Sequence, residues 1–237
     1  MKTTYLLAAL VLFAAFLLAG CSSAPKVGEL QNESRTVELG DAKPARVEVN
    51  FGAGDLKVSG GAEKLMEADF TYNVAKLKPE VDYSNGTLVV KQPDTNGAPS
   101  LQNINDFRNE WDLNFSNDVP MDLSVNMGAG SSNLQFAGLS LTGLDVTLGA
   151  GTSTVDLSGD WAQDLNVAID TGAANITVIL PKDVGVRVEV DRGPTVINAS
   201  DLTQDGDVYT NAAYGTSNVT LLITIKTGIG QLNLKVR

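Results

Sequence analysis

Histidine is absent from this chain, and its 237 residues include a single cysteine. Without histidine, a Ser-His-Asp triad, a Cys-His pair and a histidine metal site are all excluded. One cysteine cannot form a disulfide within the chain or a metal site built from several thiolates. Most hydrolytic and metal-dependent chemistries are therefore ruled out, and we expect no catalytic residue, no metal and no cofactor.

Basic residues are also scarce, with 17 Lys and Arg against 28 Asp and Glu, for a net charge of −11. An acidic surface repels phosphate backbones and anionic lipid headgroups. Nucleic acid is therefore not an expected partner, and membrane attachment would require a covalent lipid. The 23 glycines and 8 prolines are close to average usage, so the composition is that of a globular protein.

The amino terminus has the features of a secretory signal. Residues 1–4 carry one positive charge, and an apolar run of 14 residues, 5–18, follows. This run is shorter than the roughly 20 residues that a spanning helix needs. Leu18, Ala19, Gly20 and Cys21 resemble a bacterial lipoprotein box, in which the cysteine thiol receives diacylglycerol and the signal is cut just before it. The resemblance implies a signal peptide at 1–20 and lipid attachment at Cys21.

Residues 21–32 lack the alternation of a strand and contain Pro25 and Gly28. We predict that this stretch is a tether between the lipid and the folded part. Two acyl chains suffice for stable anchoring, because each buried methylene contributes about 0.8 kcal/mol. The expected location is the bacterial cell envelope outside the cytoplasm, and Ser22 is compatible with sorting to an outer membrane.

A 21-residue repeat organises the second half of the chain. Four units follow one another without gaps, from Leu123, Leu144, Leu165 and Val186. Each begins with three apolar residues at alternating positions, as expected of a strand with one buried face. A glycine at the eighth place and a second apolar pair follow, so each unit is predicted as a strand, a glycine turn and a second strand.

Two further units lie outside this run. One starts at Val47 and has two residues fewer in its turn, and the other starts at Leu221, which is 35 residues after the start of the fourth unit. The extra residues, around 202–215, are predicted as an insertion between rungs. The glycines assigned to turns in all units are Gly52, Gly54, Gly128, Gly130, Gly149, Gly151, Gly172, Gly193, Gly228 and Gly230.

Aligned repeats of constant length predict an all-β, solenoid-like stack of short strands. An antiparallel sandwich would also show short alternating strands, and this alternative stays open. Residues 33–121 form a more irregular β region, with a hairpin around Asn85-Gly86 and a polar excursion at 94–109. Residues 122–237 form the repeat region, either as a separate unit or continuous with 33–121.

Several glycine-rich phrases resemble the toast-rack family of bacterial envelope proteins. They are Gly-Ala-Gly-Asp-Leu-Lys-Val at 52–58, Gly-Ala-Gly at 128–130 and 149–151, and Gly-Ile-Gly-Gln-Leu-Asn-Leu at 228–234. The resemblance covers about residues 34–237. It implies a stack of short strands and a kinship with adhesin-like domains and with proteins of cell-wall stress responses. It supplies no catalytic residues.

Two sequence features are compatible with either a chemical site or a structural role. The phrase at 52–58 resembles half of a calcium-binding repeat, but later units place Ser131, Thr152 and Ala173 where the aspartate is needed, which favours a structural turn. Asp156 beside Trp161 could belong to a carbohydrate-active site. No matching carboxylate recurs in the adjoining units, so a surface aspartate and a core tryptophan are the favoured interpretation.

The favoured function is a lipid-anchored structural or interaction module whose partner is an envelope protein or polymer. The alternatives are an accessory regulator of an envelope stress sensor and, less favoured, a carbohydrate-active enzyme. Large aromatic residues often anchor interfaces. The candidate partner contacts are Phe107, Trp111, Tyr209 and Tyr214, although core packing is an equal alternative for Trp111.

Overall fold

The computed structural model describes residues 27–40, 44–94 and 106–237, and within them the regular secondary structure is almost entirely β-strand. Leu18, Ala19, Gly20, Cys21 and most of the polar excursion lie outside the described residues. The strands are β1 Gln31–Val37, β2 Ala45–Gly60, β3 Met66–Tyr72, β4 Glu80–Ser84, β5 Thr87–Lys91, β6 Asn109–Phe115, β7 Met121–Gln135, β8 Leu141–Asp156, β9 Leu165–Leu180, β10 Gly185–Arg192, β11 Thr195–Ser200, β12 Thr203–Asp205, β13 Val208–Thr210 and β14 Thr220–Val236; a 3-10 turn spans Ala75–Leu77.

Five strands, β2, β7, β8, β9 and β14, are 15 to 17 residues long and run through the glycines without interruption. Each bends at its glycines into a first and a second arm. In β7, Val125 and Met127 are buried before the bend, and Ser132 and Leu134 are buried after it. The buried face thus moves from odd to even residue numbers. The predicted turn between two strands is wrong, because it is a corner within one strand.

Parallel pairing joins these strands in the order β2, β7, β8, β9, β14. The 14 described strands form one continuous sheet, which bends at the glycine corners. We call the part formed by the first arms the first-arm sheet and the part formed by the second arms the second-arm sheet. A single hydrophobic cluster contains buried side chains from both, from Ala45 to Leu234. Parallel rungs exclude the antiparallel sandwich and confirm the solenoid-like stack. The same cluster includes β3, β5 and β6, so the core continues through the N-terminal region.

Shorter strands extend both sheets. Beyond β2, the first-arm sheet continues through β5 and β4, and the second-arm sheet through β6, β3 and β1. The β4–β5 hairpin is confirmed, with φ of 50° at Asn85 and 78° at Gly86 as a type I′ turn requires. Ordered contacts also reach into the predicted tether, because the Gly28 N–H donates to the Asn73 carbonyl at 2.7 Å.

The register between rungs departs from the constant repeat by two residues between β8 and β9, and a smaller irregularity lies between Met121 and Asp122 at the start of β7. Leu123 lies opposite Leu144, an offset of 21 residues, but Leu144 lies opposite Val167, an offset of 23. The connection before β9 contains the bulky, buried Trp161, which is consistent with its extra length. A shift of two residues keeps every side chain on the same face. Alternation in the sequence therefore could not reveal it.

The order of the rungs also differs from the order of the chain. Leu221 on β14 pairs with Leu165 on β9 and with Val186 on β10, so the fifth unit lies between the third and the fourth. The predicted insertion between these units forms the β12–β13 hairpin, which pairs with the outer edge of β10. This longer connection lets the chain double back and place β14 inside the stack.

The unit from Val47 joins the stack without a gap, so the prediction of two missing residues is wrong. Gly54 lies opposite Gly130, and Leu56 lies opposite Ser132. When the units are aligned by their apolar residues, Leu56 corresponds to Leu134 instead of Ser132, and this alignment creates the apparent gap of two residues. Ser132 is polar but occupies the inward position, where it is 6% exposed.

Candidate interaction surface

The corner glycines allow the rungs to stack closely. Gly151 has a φ of +128°, in the region that favours glycine, and a Cβ there would overlap the carbonyl oxygen of Gly130. A Cβ at Gly149 would likewise overlap the carbonyl oxygen of Gly128. The order along the first glycine column is Gly52, Gly128, Gly149, Gly172, Gly228 and Gly193, and the second column contains Gly54, Gly130, Gly151, Ala174 and Gly230.

These columns correct the alignment of two predicted turn glycines. Gly172 packs against Gly149 and not beside Gly151, because of the two-residue shift before β9. Gly193 packs against Gly228, because β14 lies between β9 and β10. Ala174 occupies the place where Gly172 was expected.

Two of the four aromatic residues predicted to contact a partner are part of the core, so that prediction is wrong for them. Trp111 is 1% exposed and meets Phe51 and Phe70 edge to face, with ring centroids 4.9 and 5.3 Å apart. Tyr209 is 3% exposed where β13 pairs with β10. Phe107 is half-buried, and Tyr214 is 41% exposed. The four residues do not form one surface.

The carboxylate and indole that suggested a sugar site have structural partners. Trp161 is buried, and its Nε1–H donates to the carbonyl of Leu157 at 2.9 Å. Asp156 accepts from the backbone N–H of Ser158 at 2.9 Å and from its hydroxyl at 2.6 Å. Both residues shape the connection after β8. Among the residues that the structure describes, no three or more acidic, cysteine or histidine side chains are grouped to hold a metal ion.

The outer face of the second-arm sheet has a different character where β7, β8, β9, β14 and β11 lie side by side. Three rows of outward side chains cross these strands, as the pairing of neighbouring residues shows. The row farthest from the corner contains Asp156 and Lys235 and is therefore charged. We call the other two rows the neutral face. Its first row contains Ser131, Thr152, Asn175, Gln231 and Val196, and its second row contains Asn133, Thr154, Thr177, Asn233 and Asn198. No residue in either row is charged.

The charge changes abruptly between β2 and β7. The same two rows continue across β2 and β6 as Asp55 and Glu110 in the first and as Lys57 and Asp112 in the second. Lys57 Nζ donates to Asp112 at 3.4 Å. These four residues line a shallow cavity of about 520 Å³ on this charged part of the sheet.

The outer face of the first-arm sheet is charged over the corresponding strands. Asp145, Asp170 and Lys226 point outward on β8, β9 and β14. On β10, Arg187 donates to Glu189 at 3.0 Å. Of these two parts of the sheet, only the second-arm sheet has an outer face with two uncharged rows across the central strands.

The neutral face also differs in its hydrogen bonds. Within the described residues, Ser131, Asn133, Thr152, Thr154, Asn175 and Thr177 on β7, β8 and β9 make no side-chain hydrogen bond to protein. At the far edge, Asn233 Oδ1 accepts from Asn198 Nδ2 at 3.0 Å and from Gln231 Nε2 at 3.2 Å. The central side chains therefore present donors and acceptors that the protein itself does not engage.

Large aromatic residues, from which the sequence predicted partner contacts, do not mark this surface. The available signal was the short uncharged residues that alternate with buried ones after each glycine pair, such as Ser131 and Asn133 or Thr152 and Thr154. These residues are far apart in the sequence, and only the pairing of neighbouring strands brings them together on one face.

Comparison with solved structures shows a protein of the same fold. A "putative cell adhesion protein" from Clostridium sporogenes is 32% identical, with a TM-score of 0.84, over 88% of this chain and 100% of that one. A "putative adhesin" from Bacteroides fragilis is 11% identical, with a TM-score of 0.34, over 87% and 97%. A "putative adhesin" from Parabacteroides merdae is 10% identical, with a TM-score of 0.28, over 86% and 96%. No curated protein matches the chain.

Within the part of the chain that the structure describes, no helix is long and apolar enough to cross a membrane.

The model of a family described as the N-terminal domain of toast_rack matches residues 26–179, which is more than half of the chain. The stack of rungs agrees with that assignment, and so does the identity of 32% to the Clostridium sporogenes structure. The chain belongs to the toast-rack family.

Proposed function

We propose that this protein is a non-catalytic adhesion module that a lipid on Cys21 holds at the outside of the bacterial cell envelope. The observation that carries the proposal is the 32% identity, over 88% of the chain, to a structure described as a "putative cell adhesion protein". The lipoprotein box at 18–21 supports the anchor. The rigid stack supports binding, because it displays flat outer faces on regular strands and not on mobile loops.

A lipid on Cys21 would hold the folded part close to the membrane. Gly28, whose backbone already contacts Asn73, lies seven positions after Cys21 in the sequence. Even when fully extended, seven residues span only about 25 Å. The module would thus remain near the membrane surface, and its outer faces would meet envelope polymers or a neighbouring surface.

The roles of the repeated side chains support binding in preference to catalysis. The inward rows pack the core, and the glycine columns set the spacing of the rungs. Asp156, the carboxylate that best suited an enzymatic role, is held by two hydrogen bonds from Ser158. The regularity of the sequence thus serves the construction of a stable surface.

The test uses the full chain and its Cys21→Ala variant in a bacterial host, with Ser22→Ala as the matched control. Labelling with a fatty-acid probe should mark the parent and Ser22→Ala but not Cys21→Ala. Cells making the parent should adhere to a surface coated with isolated bacterial envelopes, and cells making Cys21→Ala should not. Label on the alanine variant would overturn the anchor, and equal adhesion of cells with and without the protein would overturn the adhesive function.

A further inference from the structure

We propose that the neutral face, the two uncharged rows on β7, β8, β9, β14 and β11, is the docking surface for an uncharged polysaccharide. The inference rests on the proposed function and names the partner and the surface through which it acts. Three observations carry it: the distribution of charge, the free hydrogen-bonding groups and the regular spacing of the rows.

The distribution of charge favours an uncharged partner. The chain carries a net charge of −11, yet ten side chains on five adjacent strands include no ionised group. Covering a charged group without a partner ion costs several kcal/mol. A neutral polymer offers no counter-ion, so it can cover this face at a lower desolvation cost than the charged rows of β2 and β6. A polyanion would meet repulsion from the rest of the protein.

The free groups match the chemistry of a polysaccharide. Thr152, Thr154 and Thr177 carry hydroxyls, and Asn133 and Asn175 carry amides; each of these groups can donate and accept hydrogen bonds. Sugar hydroxyls have the same double capacity. Within the described residues these five side chains have no side-chain partner in the protein, so a ligand would not have to displace an internal bond.

The charged part of the same sheet shows the contrast. Ser34 Oγ donates to Asp69, and Lys57 pairs with Asp112. Thr71 Oγ1 donates to Asn32 at 3.0 Å. These groups already satisfy one another across the strands, so a ligand would have to compete with them.

The spacing suits a linear polymer that crosses the strands. Neighbouring strands lie about 4.8 Å apart, so the five strands from β7 to β11 extend a row over about 19 Å. The two rows are about 7 Å apart, since two residues of a strand separate them. Short side chains keep the face flat. At the β11 end, Val196 is 63% exposed and provides an apolar contact for the carbon-bound hydrogens of a sugar ring.

The experiment is native affinity electrophoresis of the full chain in a mild detergent. Because the protein is acidic, it migrates without added charge. The gels contain dextran, pullulan, galactomannan, laminarin or glycol chitin as neutral polymers, and alginate or heparin as polyanions. We expect at least one neutral polymer to retard the protein, and neither polyanion to do so.

Two variants on the same strand locate the site. Thr154→Glu places a carboxylate on the neutral face, whereas Thr147→Glu makes the same change on the outer face of the first-arm sheet. For the polymer that is bound, Thr154→Glu should raise the apparent dissociation constant at least tenfold, and Thr147→Glu should change it less than twofold. Thr154→Ser keeps the hydroxyl and should bind within about threefold of the parent. Thermal melts check that all variants remain folded.

Each contrary result overturns the inference. Retardation by none of the five neutral polymers excludes the proposed ligand class, and retardation by polyanions alone shows that charge controls binding. Equal loss in Thr147→Glu and Thr154→Glu places binding elsewhere. The adhesion assay is independent of these outcomes, so retained adhesion without polysaccharide binding would overturn the ligand and leave the proposed function standing.

Discussion

The hydroxyl of Ser132 donates to the hydroxyl of Ser153 on the next rung at 2.8 Å, and both serines are buried. The neighbouring rungs place Leu56 and Ile176 at the same inward position. The two serines thus satisfy each other where the rest of the row is apolar. A buried hydroxyl without a partner costs about 1–3 kcal/mol, so the pair is expected to behave as a unit.

We predict that Ser132→Ala lowers the free energy of unfolding by about 1–2 kcal/mol, because it leaves the Ser153 hydroxyl buried and alone. Ser153→Ala should have a similar effect. The double variant should cost less than the sum of the two, since it removes both polar groups. Denaturant melts of the four proteins measure this coupling, and strict additivity would show that the hydrogen bond contributes nothing.

Gly151→Ala should destabilise the stack by about 3 kcal/mol or more, because it adds a Cβ that overlaps the Gly130 carbonyl at a positive φ. Gly61→Ala is the matched control, since Gly61 has a φ of +103° but no atom within 4 Å of the added Cβ. It reports the conformational strain alone. Similar losses in the two variants would contradict the close approach of the rungs at the corner.

Val167→Asp should cost several kcal/mol, because it buries an unpaired carboxylate at a position that is 3% exposed. Its neighbour Asn166 is exposed on the opposite face, so Asn166→Asp should change stability by no more than about 0.5 kcal/mol. Thermal melts compare the two. Equal melting temperatures would refute the assignment of inward and outward faces on β9.

The amides of β14 should be among the slowest to exchange with solvent. Although β14 is the last strand in the chain, it pairs with β9 along its whole length and with β10 and β11 on its other side. Amides in a central strand exchange only through large openings. Hydrogen exchange followed by mass spectrometry should show β14 protected far longer than the edge strands β1 and β12. Fast exchange throughout 220–236 would contradict its central position.

Much of the local structure follows from the sequence because it depends on near neighbours in the chain. Alternation placed Val125, Val146 and Val167 on the inward face, and all three are buried. The Asn85-Gly86 pair specified its hairpin, since both residues adopt the positive φ that this turn needs. The residues that resemble the toast-rack family indicated an all-β stack, and the parallel rungs confirm it.

Only the tertiary structure decided which rungs are neighbours. A strand has a period of two, so a shift of two residues between β8 and β9 keeps every buried residue buried. The alternation of apolar and polar residues in the sequence therefore does not reveal the shift. The insertion of β14 between β9 and β10 depends on contacts over long distances in the chain, which no local pattern encodes. The neutral face is a consequence of both, because it exists only where uncharged residues of separate rungs become adjacent in space.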